Sequence, residues 1–170
     1  MRFPSRLLLT ALLVLGQPAL AEQRVKVTGA TINWFGVYKS VEKQIKDPDI
    51  STRQRYTGTD IVPPKANTDR ITLVPKTTFG FGFTLSGTPA NGEVVLKQIY
   101  KYPSPGMPRG NTGEFVPDDQ LPFTCRVGDE NVMGYNTGSD QSNWPTGTWT
   151  FQLWSGDKLV AEKNFTVSRP

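Results

Sequence analysis

The chain has 170 residues, a formal net charge of +4, no histidine and a single cysteine. Without histidine there is no Ser-His or Cys-His nucleophile pair and no ordinary zinc or copper centre, so neither a metal nor a cofactor is expected. The basic residues are scattered apart from Arg53 and Arg55, which leaves no electrostatic footprint for nucleic acid, and Cys125 alone cannot build an internal disulfide framework.

In chain order, the first segment has the pattern of an export leader. Arg2 and Arg6 open it, Leu7 to Leu15 is an apolar run too short to span a bilayer, and Ala19-Leu20-Ala21 supplies small residues for cleavage. Cleavage after Ala21 leaves residues 22–170, a length that suits one domain burying roughly 68–70% of its unfolded surface. The residue after the site is Glu22 and not cysteine, so the leader is not of the lipoprotein type, and no later segment is apolar enough to cross a membrane. The expectation is a periplasmic or secreted protein with no transmembrane segment in the mature chain.

Glycine, proline, serine, threonine and asparagine then punctuate the chain about every ten residues, between short runs rich in β-branched and aromatic residues. That is the pattern of an all-β sandwich or barrel. Strands are expected at residues 25–33 and 35–38. Ser40 to Lys46 is the best helix candidate, stopping before Asp47-Pro48. Residues 47–67 read as a polar connection that could add an edge strand, followed by a strand at residues 70–74.

The clearest strand is Phe79-Gly80-Phe81-Gly82-Phe83-Thr84-Leu85. Alternation puts the phenylalanines and Leu85 on a core face and Gly80, Gly82 and Thr84 on the other. The glycine face either admits a ligand or another backbone, or marks a local twist. Further strands are expected at residues 93–102, 123–127 and 132–136, separated by a proline-rich connection from Pro103 to Pro122 of the kind that forms a binding loop.

The C-terminal hairpin alternates Trp149, Phe151 and Leu153 with Thr150 and Gln152, turns at Ser155-Gly156-Asp157-Lys158, and returns through Ala161, Phe165 and Val167. Trp154 falls on its outer face. The total of about seven to nine strands fits an antiparallel β-sandwich of the immunoglobulin type.

Several motifs carry a bland reading beside a sharper one. Ser40-Val41-Glu42-Lys43 matches the Ser-x-x-Lys of penicillin-binding enzymes, but its companion motifs are missing. Asp118, Asp119, Asp129 and Glu130, with Asp47 and Asp49, could offer oxygen ligands to calcium, yet no calcium-loop spacing is present. Two among Asp118, Asp119, Asp129, Glu130 and Asp140 could form a glycosidase pair, or all can be solvated charge. Cys125 alternates with Phe123 and Val127 and reads as a small buried hydrophobe, against a reactive thiol.

The remaining handles are aromatic: Trp34, Tyr38, Tyr100, Tyr102 and Trp154, most of which by the blander and preferred reading complete the core or cap its ends. Exposed rings on a sandwich offer contact area at low entropy cost to a protein partner or a sugar.

Phe35-Gly36-Val37-Tyr38, residues 78–83, Ile99-Tyr100-Lys101-Tyr102-Pro103 and the closing Pro145-Thr146-Gly147-Thr148-Trp149-Thr150-Phe151, with Leu159 and Phe165-Thr166-Val167, give nearly the whole mature chain a likeness. It resembles a family of exported bacterial proteins that form a domain of unknown function with an immunoglobulin-like β-sandwich fold. The resemblance implies that fold and no activity or functional residue. The expectation is therefore a non-enzymatic binding module for an envelope protein. The alternatives are a carbohydrate or envelope-polymer module, which needs coplanar exposed rings near Asn111, Asn131 or Asn143, and a carboxylate-dependent hydrolase.

Overall fold

A computed structural model describes residues 24–45, 56–109, 113–139 and 142–170. The leader expected at residues 1–21, with Asp47, Asp49, Asn111 and Asp140, lies outside the described residues. Those described form twelve strands and no helix: β1 (Lys26–Val37), β2 (Lys39–Ile45), β3 (Tyr56–Val62), β4 (Arg70–Thr72), β5 (Thr78–Thr88), β6 (Glu93–Lys101), β7 (Met107–Pro108), β8 (Phe115–Val116), β9 (Asp118–Arg126), β10 (Glu130–Asn136), β11 (Gly147–Ser155) and β12 (Lys158–Ser168).

Two sheets carry the fold. One has three antiparallel strands in the order β1-β5-β10. The other has five, in the order β4-β12-β11-β6-β9, antiparallel except where β4 runs parallel to β12. Small hairpins β2–β3 and β7–β8 are appended.

The alternation in β5 decides the packing. Phe79, Phe81 and Phe83 are fully buried, and Leu85 joins them against the other sheet. Phe79 lies 5.7 Å from Trp149, 5.3 Å from Phe151 and 5.3 Å from Phe165, mostly edge to face, so the two sheets lock through interdigitated rings. Each buried ring contributes about 1.5–3 kcal/mol of transfer free energy, an upper estimate because the unfolded chain already hides some apolar surface. Trp149 adds a polar tie, donating its indole N–H to the Pro145 carbonyl at 3.0 Å.

Three expectations change. The segment read as a helix from Ser40 is strand β2, paired with β3 from Lys39↔Val62 to Ile45↔Tyr56. So short a helix would have to carry its nucleation cost alone, whereas a hairpin satisfies the backbone of both strands. The strands expected at 25–33 and 35–38 are one strand, β1, irregular between Ile32 and Trp34. The proline-rich connection is not one open loop. It contains β7 and β8, and from Asp118 onward it is already β9, paired with β6.

Candidate recognition site

The five aromatic candidates separate into three environments. Tyr100 and Tyr102 are core residues, 4% and 8% exposed. The Tyr100 hydroxyl donates to the Gly134 carbonyl at 2.9 Å, and the Tyr102 hydroxyl donates to Asp119 Oδ2 at 2.6 Å. Burial is the first cause that pushes both phenols far above their ordinary range. Neighbouring Tyr38 and Tyr135 add to it for Tyr100, and the hydrogen bond to Asp119 adds to it for Tyr102. These rings offer no surface to a partner. Their sequence signal, alternation with Lys101, was that of an inward face.

Trp34 and Tyr38 belong to the outer face of the three-stranded sheet. Plain alternation from Ile32 would turn Trp34 inward, opposite Phe81. The irregularity after Ile32 shifts the register by one, so that Trp34 lies opposite Gly82 while Phe35 faces Phe81. The indole then lies flat on the glycine: a Cβ at Gly82 would come within 2.3 Å of Trp34 Nε1. Tyr38 does the same on β10, where a Cβ at Gly134 would sit within 1.9 Å of its hydroxyl oxygen. The two rings meet edge to face, with centroids 5.4 Å apart and planes at 61°. The glycine face thus receives rings of its own chain.

Trp34 is 7% exposed and donates its indole N–H to Glu130 Oε1 at 2.9 Å. Asn33 Nδ2 reaches the same oxygen at 3.4 Å. A small cavity of about 220 Å³ remains between Trp34, Glu130 and Val132 on the sheet and Asp60, Ile61 and Pro63 above it.

Trp154 stands on the outer face of the five-stranded sheet, half-buried, with the Lys97 ammonium 5.8 Å above its ring. A second irregularity, between Leu153 and Trp154, sets Leu159 opposite Trp154, where simple alternation would have placed Val160. Leu159 is 40% exposed as a result. Nearby, Val95 is 62% exposed and Leu121 50%. With Lys97, Gln120, Pro122 and the Gly156-Asp157 turn they border an open depression of about 500 Å³. Val95 could have been noticed in the sequence, as an apolar residue between Glu93 and Lys97 on the polar face of its strand. Leu121 could not. It points inward, but β9 is the edge strand of the five, beyond the cover of the narrower sheet.

Among the described residues the acidic candidates do not converge. Asp118 accepts from Gln120 Nε2 at 3.1 Å, Asp119 is taken by Tyr102 inside the sandwich, and Glu130 is taken by Trp34 outside it. Asp129 is exposed. Among the described residues, no three histidine, cysteine or carboxylate side chains assemble where they could hold a metal ion. Cys125 is 4% exposed, and burial pushes its thiol up to about 11, which keeps it protonated at neutral pH. Asn131 donates to the Asp129 carbonyl at 2.9 Å. The coplanar exposed platform that a sugar module would need is not formed by the five rings, because two are in the core and the other three divide between opposite faces.

No protein-family model matches the chain, and no curated protein matches it either. Among solved structures it is similar to an immunoglobulin-like protein from Pseudomonas aeruginosa, with 22% identity and a TM-score of 0.57 over 87% of this chain and 99% of that one. That likeness establishes the immunoglobulin-like sandwich. A β-D-glucoside glucohydrolase from Trichoderma reesei aligns at 15% identity over 85% of this chain and 19% of its own length, and its TM-score of 0.34 carries no argument.

Proposed function

We propose that the chain is an exported, non-enzymatic recognition module that binds a protein of the bacterial envelope through the edge of its five-stranded sheet. The observation that carries this reading is the row of Leu159, half-buried Trp154 and Pro122, with exposed Val95 beside it, on the outer face of the five-stranded sheet, next to Leu121 at the sheet edge. Apolar side chains gathered at one place, rimmed by Lys97, Gln120 and Asp157, are the composition of an interface centre with a polar border. The fold by itself licenses no function, so the argument rests on this surface.

The mode of contact follows from Pro122. It sits in the middle of β9 and cannot donate to an added strand, which blunts the sheet edge against β-augmentation. Recognition therefore proceeds by side chains, with Trp154 as the aromatic anchor and the Lys97 ammonium over it. Export is supported by the leader pattern of residues 1–21, and the lack of an enzyme role by the scattered carboxylates and the absence of histidine from the sequence.

Crosslinking in intact cells followed by capture of the tagged protein tests this. The expected result is a protein partner retained by the native chain and lost from a Val95→Glu, Leu121→Glu variant whose thermal unfolding is unchanged. Capture of nothing, or equal capture by both chains, overturns the reading.

A further inference from the structure

A groove of about 400 Å³ opens on the other sheet, away from the patch, between the start of β2 and the turn that precedes β5. Tyr38, Lys39, Ser40, Val41, Lys76, Thr78 and Asn136 line it, and among the described residues no carboxylate does. From these residues we infer that the groove binds a small acidic sugar, an oxyanion carried on a hydroxylated body. This inference goes beyond the protein-recognition reading and does not depend on it.

Two exposed lysines from separate segments, Lys39 and Lys76, line the groove. Among the described residues neither is within ion-pair distance of a carboxylate. An anion in the groove would therefore meet two ammonium groups on its lining that pair with no carboxylate among the described residues.

The backbone at Lys76 supports this. Lys76 has φ of 63°, in the left-handed region that side chains other than glycine, asparagine and aspartate rarely enter. The conformation is imposed by the Lys76 N–H bond to the Gly138 carbonyl at 2.6 Å, and by the turn in which Thr77 N–H reaches the Val74 carbonyl at 3.2 Å. Glycine or asparagine would adopt it at lower cost. A lysine kept in such a position is consistent with a need for its ammonium.

Beside the apolar Val41, the rest of the lining carries a hydrogen-bonded polar set. Asn136 Nδ2 donates to Thr78 Oγ1 at 2.9 Å, and Asn136 Oδ1 accepts from Gly138 N–H at 2.8 Å. The Thr78 hydroxyl accepts in that bond, so its own proton can be donated into the groove. Tyr38 is tied in by its backbone N–H to the Thr78 carbonyl at 3.0 Å. The Ser40 and Thr78 hydroxyls can meet sugar hydroxyls while the lysines meet the acid, and the volume lies in the range of small-ligand sites.

The test is an amide chemical-shift titration of the purified protein with D-glucuronate, glucose 6-phosphate, D-glucose and inorganic phosphate. At least one charged sugar should give a saturable curve with shifts confined to residues 38–41, 76–78 and 136–138, weakened by added salt. Lys39→Gln and Lys76→Gln should each weaken it about tenfold or more, the value of losing a charge-assisted hydrogen bond. Lys39→Gln leaves the strained turn untouched and so separates charge from folding. The proposal is overturned if neither charged sugar saturates, if D-glucose binds as well as they do, if the variants bind like the native chain, or if inorganic phosphate alone matches glucose 6-phosphate.

Discussion

The outer faces of the two sheets treat aromatic residues in opposite ways. On the three-stranded sheet, Gly82 and Gly134 remove the side chains that would stand between a ring and the backbone, so Trp34 and Tyr38 lie down on the strands and are largely buried. On the five-stranded sheet no glycine underlies Trp154, whose strand neighbours are Gln152, Lys97 and Leu159. That ring remains partly in solvent beside Val95. An aromatic residue on an outer face is thus structural or available according to what lies beneath it.

The largest test of this contrast is a pair of alanine substitutions. Trp34→Ala removes a buried ring and orphans its hydrogen bond to Glu130, and should cost about 3–5 kcal/mol in denaturant unfolding. Trp154→Ala should cost less, about 1–2 kcal/mol, because the ring is only half-buried and its hydrogen bond to Gln152 is only part-buried. Equal losses would mean that the two faces do not differ as described.

The glycine floor itself gives the next effect. A Cβ at Gly80 would meet the Met133 carbonyl oxygen at 2.0 Å and the Gly134 Cα at 2.6 Å, both backbone atoms with no room to move. Gly80→Ala should therefore destabilise by about 1–3 kcal/mol. Gly29→Ala, where nothing lies within 4 Å, should stay within about 0.5 kcal/mol. A Gly80→Ala protein that unfolds at the native denaturant midpoint would show that the strands of the floor are not in close contact.

The smallest effect at neutral pH concerns the core tyrosines, and it appears only in alkali. The folded values of Tyr100 and Tyr102 are raised above the unfolded value near 10, first by burial. Below that value both states hold the phenol protons and stability is complete. As pH rises past it, the unfolded chain releases protons that the fold retains, so stability falls. Phenolate absorbance from these rings should rise together with loss of near-ultraviolet circular dichroism. Complete ionisation near pH 10 with the dichroism intact would place them at the surface.

Much of the sandwich was legible because the phenylalanine–glycine alternation of residues 79–85 and the Trp149, Phe151, Leu153 series each repeat with the period of a strand. The face of Tyr100 was legible in the same way, with Leu96 on its side and the charged Lys97 and Lys101 on the other, although Tyr100 also stood among the candidate contacts. The β2 strand was not. Ser40 to Lys46 carries no decisive period, and its state depends on a partner at residues 56–62 that lies far along the chain. The candidate surfaces were hidden for a related reason. Both Trp34 and Leu159 owe their facing to a one-residue irregularity, and alternation counted along a single strand predicts the opposite face after such a step.

By itself, the sequence determined the class of architecture, the core faces of residues 79–85 and of Trp149, Phe151 and Leu153, and the lack of histidine chemistry, because these follow from composition and local period. Tertiary structure decided which aromatic residues remain available, that Leu121 escapes cover at a sheet edge, and that Lys39 and Lys76 share one groove. Such facts depend on register and on the unequal widths of two sheets, which are set by contacts between residues distant in the chain and leave no trace in the local pattern.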